Sequence, residues 1–431
     1  SETSLNLRSP LIVVALLISP AAVSAQNTVI APMGNPVPAP VPMAPTTTLP
    51  MAVHGPMAGP YPYSISPQHS NTYLWGNWFR YPTGSCVRNR FWVSFDYLLW
   101  RPKGMDVVPL VTTSSSGTPI GDAGVLGAAN TGILYGNGSL NDSTSSGGRF
   151  RSGWWFRDGA WALESEFFGL KTSTETYNVA SDGSTILARP YYEINDGDSD
   201  ALVIAYPNTV SGSVGVASNS RLRSGLFNAR ISVIPVGMLG CNDACDPPDR
   251  IDWLIGYRAL ELKDDLTISH SINSLNGARP DNTVAADAFA TKNRFSGLQL
   301  GMVYRTHFRR VWMESLMRVA LGNNRQEAAI QGGTRITDNG VSADYVGGLL
   351  AQRTNIGSFS RKEFTMVPEL GLNFGFRLTR CLQGTIGYTI IYFPNVLRAS
   401  RQIDIDVNPQ LIPPEAVVSG PLRPRFRAIE D

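Results

Sequence analysis

The chain has 431 residues, of which 43% are hydrophobic and only 16% charged, against roughly 25% charged residues in an average soluble domain. No apolar run approaches the ~20 residues of a transmembrane helix, which excludes a helical membrane protein. The 36 Lys and Arg are scattered and nearly balanced by 34 Asp and Glu, so nothing points to nucleic acid as a partner. An all-β chain with polar loops fits best, and nine Trp and fifteen Tyr indicate a membrane interface.

The first 25 residues have the order of a secretory signal peptide. Arg8 precedes the apolar stretch 11–18, Pro20 interrupts it, and the small residues of Val23-Ser24-Ala25 follow. We predict that residues 1–25 are removed after Ala25. The alternative is a short buried helix.

Residues 26–85 form a second, Pro-rich segment. Eleven of the thirty prolines lie between Pro32 and Pro67, where the missing N–H and the restricted preceding residue disfavour helices and central strands. We predict an extended periplasmic linker. Its partner would be peptidoglycan or a periplasmic protein, and an unspecific spacer is the alternative.

From residue 86 onward the sequence alternates with a period of two. In one such stretch the apolar residues Ile251, Trp253, Ile255 and Tyr257 alternate with positions that include Asp252, Gly256 and Arg258. Similar stretches of roughly eight to fifteen residues recur along the chain, and strands of about 9–11 residues cross a bilayer at a tilt. They predict strands over about 90–100, 149–156, 161–170, 222–234, 251–259, 295–304, 311–321, 364–378 and 382–393.

Short and long connections between these strands alternate along the chain. Residues 157–160, 305–310 and 379–381 are short, whereas connections such as 101–148 and 264–290 are long and rich in Gly, Ser, Thr, Asn and Asp. Outer-membrane barrels have short periplasmic turns and long extracellular loops. We therefore predict that residues 86–431 are a single antiparallel transmembrane β-barrel of about 10–12 strands in the outer membrane, in contact with its lipid.

Charged residues on the polar face of these strands are expected to point into the lumen, because a lipid-facing Arg or Lys at the bilayer midplane costs ~2–4 kcal/mol. Both signs occur, so many of these residues are expected to pair across the interior. The predicted pore-lining residues are Asp96, Arg149, Arg151, Glu164, Glu166, Arg230, Asp252, Arg258, Glu314, Arg318, Glu369 and Arg377.

Tryptophan residues cluster at the short-turn ends of the strands. Outer-membrane barrels have girdles of aromatic residues at the membrane–water interfaces. We predict that a periplasmic girdle contains Trp92, Trp154, Trp161, Trp253 and Trp312. The alternative is that Trp simply favours strands.

Several stretches in the same order resemble a known family. They are FWVSFDYLLWRPKGMDVVPLVTT (91–113), SGGRFRSGWWF (146–156), IDWLIGYRALEL (251–262) and GYTIIYFPNVLRASRQIDIDVNPQLIP (387–413). These stretches are similar to planctomycete outer-membrane proteins of the beta-barrel porin family 7. The resemblance implies a secreted outer-membrane barrel with porin-like activity, and it implies no catalytic or cofactor residues.

Nine strands leave the predicted barrel one strand short, since bacterial barrels of this kind have an even number. Either 401–407 (RQIDIDV) supplies a descending strand, or the closing strand is missing from this sequence. The second interpretation is preferred.

The remaining motifs point to little chemistry. Cys241 and Cys245 are candidates for a disulfide in an oxidising compartment, and sequence does not decide whether Cys86 pairs with Cys381. Zinc-ligand spacing is not met, so we expect no metal site. Neither a G-x-S-x-G motif nor a P-loop or dinucleotide fingerprint occurs, so we expect neither an enzyme nor a cofactor.

Two functions remain. The first is a porin-like narrow channel for small polar solutes or ions. The second is a plugged barrel that acts as a structural or surface-interaction anchor through its long extracellular loops. About ten to twelve strands lie nearer the closed than the wide-channel end of barrel sizes.

Overall fold

A computed structural model describes residues 15–20, 91–156, 161–235, 249–277, 280–308, 310–378, 382–415 and 419–431. These residues form strands and two short 3₁₀ turns, at Ser400–Gln402 and Pro409–Leu411, with no α-helix among them. The strands, numbered in chain order, are β1 (Ala15–Pro20), β2 (Phe91–Trp100), β3 (Met105–Val107), β4 (Val111–Ser114), β5 (Thr131–Tyr135), β6 (Gly138–Leu140), β7 (Ser145–Phe156), β8 (Trp161–Leu170), β9 (Ser173–Ser181), β10 (Leu187–Glu193), β11 (Asp198–Ala205), β12 (Val210–Pro235), β13 (Arg250–Ser274), β14 (Asn282–Phe308), β15 (Val311–Asp338), β16 (Val341–Val346), β17 (Gly357–Arg377), β18 (Leu382–Ile391) and β19 (Asp406–Val407).

One antiparallel sheet of twelve strands dominates the fold. Its order is β1-β18-β17-β15-β14-β13-β12-β8-β7-β2, while β9 pairs with β12 beyond the end of β8 and β16 pairs with β15. Neighbours along the sheet are therefore mostly neighbours along the chain. Each of the nine strands predicted from the alternating pattern coincides with a strand of this sheet or with part of one, to within two residues at its ends.

The sheet is strongly curled. β8 and β15 are separated by three strands, which in a flat sheet would place them about 19 Å apart at ~4.8 Å per strand. A guanidinium nitrogen of Arg318 on β15 nevertheless lies 3.2 Å from a carboxylate oxygen of Glu166 on β8. At the sheet's two ends, Tyr388 and Ile391 of β18 pack on a cluster that includes Trp100 of β2. One face of the sheet is thus an enclosed interior.

The hydrogen-bonded ladder is not closed among the described residues. β2 and β18 run in the same direction, so they cannot join as antiparallel neighbours. Ala15–Pro20 lies between them and pairs antiparallel with Leu382–Gly387 of β18. The alternative that 401–407 supplies the closing strand is wrong, because Ser400–Gln402 is a 3₁₀ turn and β19 pairs with β10 in another sheet.

The strands are longer than the sequence pattern indicated. β12, β13, β14 and β15 have 25 to 28 residues each, and most of the predicted long loop 264–290 belongs to β13 and β14. The extra length lies away from the short connections. We call the part of each strand next to the short connections the lower half, and the rest of the strand the upper half. In β13 the lower half ends near Ala259 and the upper half begins near Glu261.

A cap covers the interior of the upper half. It contains the small sheets β11-β10-β4-β5, with β19 on β10, and β3-β6. Apolar residues of the cap pack in one cluster with inward-facing residues of β12 to β15. Cap members of this cluster include Met105, Val111, Leu187 and Ile204, and members from the long strands include Val216, Leu266, Ile268, Phe289 and Ile330.

The outer face of the lower half is an apolar belt. Its side chains are large and exposed, as expected for a surface that contacts lipid rather than water. They include Phe95, Tyr97, Phe167, Phe227, Ile231, Trp253, Ile255, Tyr257, Leu298, Leu300, Met317, Leu321, Phe364, Met366, Leu370, Leu372, Phe374 and Phe376.

Along strand β13 the outer face changes from apolar to polar, and the inner face changes from partly charged to mainly apolar. Up to Ala259 its outward residues are apolar, whereas its inward residues include Asp252 and Arg258. From Glu261 onward the outward residues are charged or polar, and the inward ones are mainly apolar. The outer face of β13 is therefore apolar in the lower half and polar in the upper half.

This exchange predicts a position-dependent cost of an outward charge on β13. Ile255→Arg lies in the middle of the apolar belt and should lower the free energy of unfolding from phospholipid vesicles by about 2–4 kcal/mol. Thr267→Arg on the same face of the same strand should change it by less than about 0.5 kcal/mol. Equal effects of the two substitutions in denaturant titrations would contradict the assignment of the belt.

Candidate functional site: the charged interior

The interior of the lower half contains the charged residues singled out by sequence. Eleven of the twelve predicted pore-lining residues lie on the enclosed face: Asp96, Arg149, Arg151, Glu164, Glu166, Arg230, Asp252, Arg258, Glu314, Arg318 and Glu369. The side chain of Arg377 lies outside the described residues. All eleven are buried except Arg151, whose side chain is 18% exposed. Their role in lining a pore stays a prediction.

Arg230 of β12 is the centre of one group of ion pairs. Its guanidinium nitrogens lie 2.8 Å from Glu164, 2.6 Å from Asp252 and 4.0 Å from Glu314. The Asp252 carboxylate also accepts a hydrogen bond from the Ser232 hydroxyl at 2.6 Å. Carboxylates from three different strands thus lie around one Arg.

Arg318 of β15 is the centre of a second group. It lies 3.2 Å from Glu166 and 3.6 Å from Glu369, and Glu369 also pairs with Arg258. A third group joins Asp96 to Arg149 and Arg151. Every carboxylate of the predicted set therefore has at least one Arg within ion-pair distance.

Two members of the interior were missed by the sequence analysis. Arg250 lies 2.9 Å from Asp252, and its guanidinium lies over the Trp155 ring at 4.3 Å. Arg305 donates a 3.0 Å hydrogen bond to Glu314. Both residues adjoin the predicted strands 251–259 and 295–304. Extending each predicted strand by one residue, with the same alternation of inward and outward side chains, would have placed both residues on the inward face.

This arrangement closes the interior at this level. Side chains that lined an open aqueous pore would be exposed to solvent, whereas most of these have 8% exposure or less. Burial of a charge is unfavourable unless it is paired and hydrogen-bonded. The pairing is therefore what allows a polar interior to be filled by side chains.

Above the charged layer lies a cavity of about 230 Å³. The indole N–H of Trp100, in its wall, has no hydrogen-bond partner in the described part of the chain. Apolar and basic side chains both contribute to the wall, including Lys103, Leu170, Lys171, Leu222, Leu260, Ile391, Phe393 and Arg398. Small polar or amphipathic molecules would fit such a wall.

A buried polar group ties the cap to the upper half. Arg189 of β10 lies 2.9 Å from His270 Nδ1 on β13 and 2.8 Å from the Asp287 carboxylate on β14. That carboxylate also accepts hydrogen bonds from the backbone N–H groups of Leu350 and Ala351. Burial, and then the positive charge of Arg189, hold the pKa of His270 well below its ordinary value. Sequence gave no signal for this group, because its members are far apart in the chain.

The tryptophans divide between the two faces of the sheet. Trp154, Trp161 and Trp253 lie on the outer face near the lower ends of their strands, as a girdle requires. Trp312 lies inside, where its indole N–H donates to Gln383 at 3.1 Å, and Trp92 is on the inward face opposite Gly153. The girdle prediction is wrong for Trp92 and Trp312, since period two places them with Asp96 and Glu314.

Other predicted features have no structural test. Cys86, Cys241, Cys245 and Cys381 lie outside the described residues. Within the described ranges, no group of three or more His, Cys, Asp or Glu side chains could hold a metal ion. No helix there is long and apolar enough to span a membrane.

A family model described as "Putative beta barrel porin-7 (BBP7)" matches residues 92–431. The chain belongs to this family. Membership of the beta barrel porin-7 family agrees with the all-β antiparallel fold and is consistent with an outer-membrane location, and the family's name suggests a protein that is not an enzyme. No curated protein and no solved structure matches the chain.

Removal of the Arg230 charge should destabilise the protein strongly. Arg230→Met keeps an aliphatic chain of similar length but leaves Glu164 and Asp252 without their main counterion, which should lower the free energy of unfolding by about 3–5 kcal/mol. Arg335→Met removes an exposed ion pair with Asp344 and should cost less than about 1 kcal/mol. Similar costs in denaturant titrations would contradict a tightly buried network.

His270 should make stability depend on pH. In the unfolded chain the imidazole takes up a proton near pH 6.5, whereas in the folded protein it stays neutral to a lower pH. Below pH 6.5 the unfolded state binds more protons, so the free energy of unfolding falls by up to about 1.4 kcal/mol per pH unit. His270→Gln should remove that part of the slope between pH 7.5 and 5.5, and an unchanged slope would show that His270 does not titrate on unfolding.

Proposed function

We propose that the chain is an outer-membrane β-barrel protein whose lumen is closed in the conformation described. In this proposal the apolar belt contacts lipid, and the sheet closes through a strand antiparallel to both β2 and β18. The exchange of polar and apolar faces along β13 supports the membrane position, because one strand would meet lipid below and water above.

The function that the geometry supports best is that of a plugged barrel, which anchors a water-facing upper half for structural or surface interactions. One observation has the greatest weight: the inward carboxylates of the lower half are paired with Arg side chains and buried. The cap reinforces this conclusion, since its apolar cluster fills the interior above.

A narrow channel for small polar solutes or ions is the second candidate. It is favoured by the porin name of the family and by the internal cavity of about 230 Å³. Conduction would require the ion pairs around Arg230 and Arg318 to rearrange, and the cap to move.

We further propose that residues 1–25 act as a cleaved signal peptide, so that another strand takes the place of Ala15–Pro20 between β2 and β18 in the mature protein, and that residues 26–85 form a periplasmic linker. Peptidoglycan or a periplasmic protein is the partner proposed for the linker. A planctomycete origin is proposed from the sequence resemblance alone.

Single-channel recording distinguishes the two functions. The plugged barrel predicts that the full-length protein in planar bilayers gives no steady conductance above the lipid background. Arg318→Ala should raise the frequency of openings, because it leaves Glu166 and Glu369 without that counterion. Steady conductance of the wild type that changes with Glu314→Ala or Arg318→Ala would instead support the channel.

A further inference from the structure

Directly above the apolar belt, the outer face has two rows of charged residues. In the first row, cross-strand neighbours follow one another from Arg223 to Glu261, Arg294, Arg325 and Lys362 across five strands. The second row contains Arg221, Lys263, Lys292 and Glu327 at the next outward positions. We call these nine residues the charged collar.

The collar is basic and accessible. Seven of its members are Arg or Lys and two are Glu. Glu261 lies within 4 Å of Arg221, Lys292 and Arg294, and Glu327 within 4 Å of Arg294 and Arg325. Asp265, next along β13, lies 3.1 Å from Lys263. Three carboxylates cannot neutralise seven cations. Side-chain exposure ranges from 27% for Lys292 to 56% for Arg325 among the members that form these pairs.

Like charges lie directly opposite one another in the collar. Arg294 is paired with Arg325, Arg325 with Lys362, and Lys263 with Lys292. Such cross-strand pairs destabilise a sheet. Glu327 already lies beside both Arg294 and Arg325, so a bound anion would mainly relieve the repulsion between Arg325 and Lys362 and between Lys263 and Lys292. The sequence places these cations in adjacent positions rather than alternating them with acids.

The level of the collar indicates which anion it would bind. Phe364 and Met366, 64% and 51% exposed, follow Lys362 on the outer face of β17. On β13, Tyr257 lies two outward positions below Glu261. A ligand with an anionic head and an apolar tail would therefore contact both surfaces at once. Basic clusters next to a membrane-embedded surface bind anionic lipid headgroups.

We propose that the charged collar binds the phosphorylated headgroups of lipids in the outer leaflet, while their tails contact the apolar belt. This inference rests on the proposed membrane function. The bound phosphates would lie between the like-charged pairs and would fix the depth of the barrel in the bilayer.

The test is a titration of the detergent-solubilised full chain with lipid A, measured by native mass spectrometry against dephosphorylated lipid A. The triple variant Arg223→Gln, Arg325→Gln, Lys362→Gln should bind lipid A about 100-fold more weakly, since each basic residue near an anionic surface contributes about fivefold. The wild-type affinity for lipid A should fall as salt is added, and dephosphorylated lipid A should bind weakly to both proteins.

A matched control removes three exposed charges outside the collar: Arg335→Gln, Arg353→Gln, Arg401→Gln. This variant should bind lipid A like the wild type. Equal affinity of the collar variant and the wild type, or an equal loss in the control, would overturn the proposal.

Insertion into phosphatidylcholine vesicles is measured separately for each protein. If the collar variant inserts like the wild type and still binds lipid A tightly, the collar is not the lipid-binding site, but the proposed membrane function stands. A wild-type chain that does not insert contradicts the membrane function on which the collar rests.

Discussion

The fold depends on one constraint: single continuous strands must satisfy two different surroundings. In β13 the outward residues change from Tyr257 and Ala259 to Glu261 and Lys263, between one outward position and the next. The inward residues change in the opposite sense, from Asp252 and Arg258 to Leu266 and Ile268. The side-chain period of a strand is two, so outward and inward residues alternate along β13. The inward change is less abrupt than the outward one, because Leu254 and Leu260 are buried below that level and Asp264 is buried above it.

The interior follows from this constraint. A curled sheet of about ten strands encloses room for side chains rather than for a wide aqueous channel. Where the exterior is apolar, the alternation leaves polar residues for the inside, and Arg230 and Arg318 stabilise them by pairing with carboxylates from several strands. Where the outer face is polar, the inside is mainly apolar, and the cap packs on it to form a hydrophobic core.

The sequence predicted the lower half well and the upper half poorly, for physical reasons. Alternation with large aromatic residues, as in 91–100, identifies a strand and its two faces. Beyond Glu261 the outward positions are Asp265, Thr267 and Ser269, whose composition is typical of loops, so the continuing strands were not recognised. Position near the short connections suggested an outer aromatic girdle for Trp92 and Trp312. Both are an even number of residues from an inward-facing residue of the same strand, Asp96 or Glu314, and therefore face inward. The group of Arg189, His270 and Asp287 depends on contacts between distant segments, which no local pattern reveals.

The exchange of faces along β13 is the central claim, and lipid accessibility tests it most directly. With the native cysteines replaced by serine, spin labels are placed singly at the outward positions 253 to 269 of the reconstituted protein. Collisions with oxygen should be frequent from 253 to 259 and fall at 261, where collisions with a water-soluble nickel complex should rise. Accessibility to the nickel complex that is uniform along the strand would contradict the account.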